Sequence, residues 1–218
     1  MYATKVMNRQ IKKLRREVDQ LQKKYGSPDH RAIYGAGCLS KPKLLFLFMN
    51  PTASNISAAN TWSGLRAPWL GTKNIWRLFY RINFIGRQTF DQTQLGKNSW
   101  DKKFAKRIYQ ELSDNSVYIT NLAKCTQLDA RPLKDKVFKT YLDNTLTEIY
   151  LVNPINIVTL GSQVSSILLN KKIAVSNNST ETLIIKKRSY QVYPTYYPVG
   201  QGMRNLDKAI NRIKKIIK

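Results

Sequence analysis

The chain is poor in the residues that staple or metallate a fold. Its 218 residues hold two cysteines, Cys38 and Cys125, and one histidine, His30. Two thiols make neither a disulfide framework nor a four-thiolate cluster, and one imidazole adds little to a transition-metal site. The expectation is a protein without metal or cofactor. Acidic residues are scarce too: 13 Asp and Glu stand against 37 Lys and Arg, a formal net charge of +24. That excess is far beyond what solubility requires. A nucleic acid is its simplest cause, and a generally basic proteome is the other. Long hydrophobic runs are missing as well. No stretch approaches the roughly 18 to 20 apolar residues that span a bilayer, and the N-terminus lacks an apolar signal core. These absences lead us to expect a soluble cytoplasmic protein with no membrane partner, nucleoid-associated, or nuclear if its source is eukaryotic.

What the chain does have is a 42% share of hydrophobic residues, enough for the core of one domain over residues 1–218. Its clearest element is Leu44-Leu45-Phe46-Leu47-Phe48-Met49, an unbroken apolar run that stops at Asn50-Pro51-Thr52. Without period-2 alternation, such a run reads as a strand buried on both faces, as in a parallel α/β sheet. Ligands of open α/β sheets bind beyond the carboxyl ends of the strands, so Asn50 is delivered where this architecture keeps its chemistry. Pro51 restricts the backbone around it. Val117-Tyr118-Ile119-Thr120-Asn121 repeats the theme, a short strand ending in an amide. Ile155 to Leu160 is a third strand, leading through Gly161-Ser162 into a helix over 163–169 with Ser162 as its cap. Thr182 to Ile185 and Tyr190 to Thr195 read as strands around the basic turn Lys186-Lys187-Arg188.

Helical spacing places amphipathic helices over 5–25, 74–82, 101–113, 134–152 and 206–217. The first carries Val6, Ile11, Leu14, Val18, Leu21 and Tyr25 on one side and basic residues on the other, and Gly26-Ser27-Pro28 ends it. Its apolar stripe is too short for a coiled coil, so residues 1–27 are expected to form a basic helix docked on the domain. Strands alternating with helices predict an α/β fold, a three-layer α/β/α sandwich around a central, mainly parallel sheet of four to five strands. Ile33-Tyr34-Gly35-Ala36-Gly37 is not a dinucleotide fingerprint, because no third glycine follows and the strand comes after it. Residues 52–72 form a long connection that keeps Trp62 and Trp69, which points to a functional loop rather than a disordered one. Two further irregular segments are the basic, turn-rich 122–132 and the glycine-bearing 196–205 that leads into the last helix.

In order and spacing, these landmarks resemble the uracil-DNA glycosylase superfamily over roughly residues 33–205. Met49-Asn50-Pro51 resembles the first motif of the single-strand-selective and mismatch-specific branches. Ile33 to Gly37, Ala67-Pro68-Trp69-Leu70-Gly71, Tyr118 to Cys125 and Ile157 to Gly161 are closer to the iron–sulfur branch. Tyr197-Pro198-Val199 with Arg204 occupies the place of the second motif, usually His-Pro-Ser with a downstream Arg. The chain also departs from the pattern. Phe48 and Thr52 replace glycines, Tyr197 replaces the His and Val199 the Ser. Only Cys125 sits where a cluster ligand would be, so the iron–sulfur cluster is expected to be absent, with packing by the N-terminal helix as a substitute.

The resemblance implies a monomeric, monofunctional DNA glycosylase that flips uracil or a related deaminated base out of single- or double-stranded DNA and hydrolyses its N-glycosidic bond, as in base excision repair. It assigns Asn50 to orienting water at the sugar carbon and Tyr197 to donating toward the base oxygen where charge gathers. Asn121 would pair with the base edge, Trp69 would stack on it, and Met49 would line the same pocket. Pro51, Thr52, Ser162, Pro198, the main-chain N–H groups of Val199-Gly200-Gln201-Gly202, and Arg204 would face the DNA backbone. Met203 or Gln201 would enter the gap left by the flipped base. Lys124, Arg131, Lys186, Lys187 and Arg188 would add unspecific, salt-sensitive affinity. Other uses stand beside these: Asn50 as a turn residue, Trp69 as core, and the whole chain as a non-catalytic or altered-specificity nucleic-acid-binding member of the fold. A small-nucleotide-processing α/β enzyme is a third reading, one that leaves the charge unexplained.

Overall fold

The computed structural model describes residues 2–130 and 133–217, with the backbone alone at residues 2–6 and 8. Arg131 and the side chain of Val6 therefore lie outside the described residues. The strands are β1 (Ala36–Gly37), β2 (Leu44–Phe48), β3 (Val117–Asn121), β4 (Asn156–Leu160), β5 (Glu181–Ile185) and β6 (Arg188–Thr195). They form one six-stranded sheet in the order β1-β3-β2-β4-β6-β5. The four central strands β3, β2, β4 and β6 run parallel, and the two edges pair antiparallel. The sheet exceeds the expected four to five strands because β1 is only two residues long, too short to carry a periodic signal.

The unbroken apolar run of β2 is explained by its two neighbours in space. Leu44, Phe46 and Phe48 join Val117, Ile119, Val158 and Leu160 in one core, while Leu45 and Leu47 join Tyr118, Ile157 and Val192 in the other. Successive side chains of a strand point to opposite faces, so a strand covered on both sides has no polar position left. The first core is closed by α2 (Asn74–Arg81), α4 (Lys102–Asp114) and α8 (Leu206–Ile216). Trp76 lies at its centre with its ring 5.8 Å from those of Phe79 and Trp100. The second core is closed by α5 (Asp135–Thr140), α6 (Leu142–Val152) and α7 (Ser162–Leu169). These three layers are the predicted sandwich.

The first helix, α1 (Tyr2–Tyr25), lies against α6 and buries Leu14 and Val18. Its last turns are tied to the segment after β3. Gln22 Oε1 accepts from the Thr126 amide at 2.8 Å, and Gln127 Nε2 donates to the Tyr25 carbonyl at 2.8 Å.

Three local expectations change, and one helix appears that none foresaw. The predicted helix over 134–152 is two helices, because the Tyr141 amide turns to the Phe138 carbonyl, 3.0 Å away, while its ring enters the second core. Ser162 does not cap α7; Gly161, at φ +105, holds that position, and Ser162 is the first helical residue. The basic hairpin turn is Lys186-Lys187 alone, with φ of 47° and 68°, the mirror-image turn that suits twisted strands; Arg188 already pairs with Ile185. Finally, α3 (Arg87–Gln94) is a polar helix that packs only Phe90 on the first core, so no apolar stripe announced it.

Candidate active site

Because β2, β3, β4 and β6 are parallel, their carboxyl ends at Phe48, Asn121, Leu160 and Thr195 line a single edge of the sheet. Phe48 and Asn121 are register partners. Alternation puts the Asn121 side chain on the face of Ile119, which is also the face of Phe46 and Phe48. Asn121 is 2% exposed, and its Nδ2 has no hydrogen-bond partner. Leaving a buried donor unsatisfied costs about 1–3 kcal/mol, an expense compatible with a group that a ligand completes.

Trp69 approaches the same point from the loop after β2. Its ring meets Phe48 edge-on, with centroids 5.0 Å apart and planes at 69°. Its Nε1 is also buried without a partner. Its backbone is left-handed, at φ +68, a strained conformation for a bulky residue and one that surrounding structure must impose. That structure is visible. The Trp69 carbonyl accepts from Thr72 Oγ1 at 2.7 Å and from Trp76 Nε1 at 3.2 Å. Asn55 Nδ2 donates to the Ala67 carbonyl at 2.8 Å, and Arg31 donates to the carbonyls of Ala59 and Trp62. The long connection is thus an ordered loop. Trp76 belongs to the core, and Trp62 anchors the loop through Nε1 to the Leu65 carbonyl at 2.9 Å.

Asn50 and Met49 are half-buried just past β2, and Asn50 Nδ2 reaches the Pro51 carbonyl at 3.2 Å. This contact serves a turn as well as a site. The loops after β2 and β3 are zipped together: the Ala123 amide donates to the Met49 carbonyl, and Gln127 to Pro51, each at 3.0 Å. Thr52 pairs with Gln127, and the next residue, Leu128, is 65% exposed. An apolar side chain held out at this edge escaped the sequence reading, since exposure of a single leucine leaves no pattern.

Tyr197 comes from the loop after β6. With Val199 and Met203 it packs on the first core, the face that Asn121 and Trp69 share. Burial pushes its phenol up to about 12, so it keeps its proton at neutral pH. The loop then turns back at Gly202, where any Cβ would lie 2.1 Å from the Tyr197 carbonyl oxygen, so only glycine fits. The Gly202 amide donates to the Val199 carbonyl at 2.9 Å, which removes it from the expected phosphate donors. Gly200, Gln201 and Arg204 are exposed, as is Ser162 after β4, whereas Pro51 and Pro198 are buried.

Other expected DNA contacts are corrected. Lys124 is not a surface cation: its side chain is 2% exposed, and Nζ is paired with Glu148 at 2.8 Å, so no phosphate reaches it. Lys186, Lys187 and Arg188 sit at the amino end of β6, the edge opposite the site, and Lys186 and Arg188 lie over the ring of Tyr150. The strand Arg188–Thr195, at about 3.3 Å per residue, runs from them to the carboxyl end. Glu148 was missed altogether, because one acid within an apolar helical pattern reads as solvent-facing. The thiols do not fit an iron–sulfur cluster. Cys38 follows β1, with its main-chain amide on the Val117 carbonyl and its thiol 3.5 Å from the Ser40 carbonyl, while Cys125 is buried beyond the end of β3. Among the described residues, no helix is long and apolar enough to cross a membrane.

A search among curated proteins finds no match. The sequence model of one family does match, described as the uracil DNA glycosylase superfamily, and it covers residues 34–218. That span takes in the whole sheet and every loop at its carboxyl edge, and omits all of α1. With that much of the fold and all of the site inside the match, the chain belongs to the uracil DNA glycosylase superfamily, a membership that carries DNA glycosylase chemistry in general.

Proposed function

We propose that the protein is a monofunctional glycosylase acting on uracil or a related deaminated base in DNA, as a cofactor-free monomer. The observation that carries this reading is the buried, unpartnered amide of Asn121 beside Trp69, on the sheet face that also holds the protonated Tyr197. A base flipped into this edge would stack on Trp69, a contact of about 1–3 kcal/mol. Asn121 supplies a donor and an acceptor to its edge. Asn50 orients the water that adds to the sugar carbon; an amide positions but does not deprotonate. Tyr197 donates to the base oxygen as the glycosidic bond breaks and negative charge collects there. Met49 lines the pocket, Thr52, Ser162, Val199, Gly200, Gln201 and Arg204 meet the backbone while the buried Pro51 and Pro198 shape their loops, and Met203 or Gln201 fills the vacated stack. The exposed Leu128 is a third side chain for that last task.

The test is release of free base from oligonucleotides carrying uracil, hypoxanthine or xanthine, with Asn50→Ala as the control. No release from any of them, with no difference between wild type and variant, would sink the enzyme reading. A second reading is favoured by Phe48, which is fully buried under Trp69 where the family motif has glycine. It makes the chain a nucleic-acid-binding member of altered specificity. Tight, salt-sensitive binding that ignores base identity, without product, would select it.

A further inference from the structure

Beneath the end of β3 lies a pair of charges that the chemistry above does not use. The side chains of Lys124 and Glu148 are 2% and 4% exposed, with Nζ and Oε2 2.8 Å apart. Buried charges are costly to desolvate, and an apolar pair of the same volume is often as stable, so the pair is informative through what it holds. Lys124 Nζ donates to the main-chain carbonyl of Asn121 at 2.7 Å and to Thr145 Oγ1 at 3.3 Å. Thr145 Oγ1 donates in turn to the Leu122 carbonyl at 3.0 Å. Glu148 accepts from the Tyr118 hydroxyl at 2.8 Å and from Thr120 Oγ1 at 2.9 Å. Residues 118, 120, 121 and 122 are thereby clamped to α6 on the face opposite the site.

The clamp is tightly enclosed. A Cβ at Gly35 would lie 2.2 Å from the Tyr118 hydroxyl oxygen and 2.5 Å from Glu148 Oε1, so any other residue there would have to push this bonded pair aside. Leu14, Arg15 and Val18 of α1 close the remaining side, leaving a cavity of about 10 Å³. The helix outside the family match thus covers charges that lie inside it.

We propose that Lys124 and Glu148, covered by α1, are positioning residues that fix the amide of Asn121 for base recognition. The inference rests on the reading of Asn121 given above. The pairing with β2 continues past Asn121 through the Leu122 and Ala123 amides, but on its other side β1 reaches only Tyr118 and Ile119, and recognition requires a polar group held within about 0.5 Å. Here a charge-assisted bond to the carbonyl of the recognising residue itself supplies that constraint.

The test replaces both charges with apolar side chains, Lys124→Met with Glu148→Leu, which removes the clamp without stranding a charge. Excision kinetics and the side-chain amide NMR signal of Asn121 are then measured. We expect kcat on uracil to fall roughly 10- to 100-fold with KM little changed. The preference for uracil over thymine should shrink, and the Asn121 signal should shift or broaden. Asn121→Ala should cost less in this background than in the wild type. Retained kcat and preference with an unmoved signal would overturn the proposal, as would an Asn121→Ala penalty equal in both backgrounds. If that double variant does not fold, Lys124→Met with Glu148→Gln, which loses both charges and keeps a side chain of Glu148's shape beside Tyr118 and Thr120, is read by the same criteria. If the wild type excises nothing, the glycosylase reading fails by itself. The NMR signal then decides the clamp, an unmoved Asn121 amide counting against it.

Discussion

Tyr197 holds the least conventional place in the site, and its behaviour follows from its surroundings. A phenol in the position of the family's histidine is neutral at physiological pH and has one proton to donate. Burial strengthens that state by raising its titration to about 12. Tyr197→Phe removes the donor and keeps the ring on the core, so kcat should fall by about 10²–10³ while oligonucleotide affinity is retained. The same shift has a stability consequence. The folded state holds the proton more tightly than the unfolded chain, so the contribution is complete below about pH 10 and is lost as pH rises toward 12. In thermal melts the wild type should therefore lose stability relative to Tyr197→Phe as pH rises across this window. Curves that stay parallel would place Tyr197 in water. Asn121 and Asn50 were legible because each ends an apolar strand. The unpartnered state of the Asn121 amide was not, since it depends on what the neighbouring loops leave unfilled.

At the scale of elements, legibility tracked how much of an element's burial is local. β2 was readable because both its faces enter cores, and α4 because Phe104, Ile108 and Leu112 fall on one stripe. β1 and α3 were not, one for its length and the other for its polarity. The Lys124–Glu148 pair was invisible because it joins residues 24 positions apart through a strand-to-helix contact. The loop after β6 depends on a single close approach, and this makes it easy to test. Gly202→Ala puts a methyl group against the Tyr197 carbonyl, where backbone must move, at a cost of about 1–3 kcal/mol. Urea unfolding should show that loss, with a fall in activity beyond it as Tyr197 shifts. An unchanged midpoint would mean that the loop is free to adjust. The opposite case is the Lys186-Lys187 turn, whose two positive φ values suit Asn-Gly better. Lys186→Asn with Lys187→Gly should stabilise by roughly 1 kcal/mol and leave excision untouched, because the turn sits at the far edge of the sheet.

For the whole molecule, two kinds of interaction respond differently to salt. The charge of +24 acts from the surface, through solvent, and attracts any polyanion. In the proposed site the Asn121 amide is buried and the Trp69 ring partly so, where screening is weak. Affinity should therefore be mostly electrostatic, and discrimination mostly not. If the protein covers six to ten phosphates, its affinity for an oligonucleotide should fall by about 10³–10⁵ between 50 and 200 mM salt. The ratio of affinities for uracil- and thymine-containing strands should stay constant over that range. Titrating both strands at several salt concentrations measures the two quantities together. Parallel lines on a log–log plot are the expected result. Converging lines would put recognition on the charged surface and take it away from Asn121. Removing the charges of Lys186, Lys187 and Arg188 should change the slope little, since they lie at the edge opposite the strand ends. A large change would mean that the DNA path runs around the sheet rather than along its carboxyl edge.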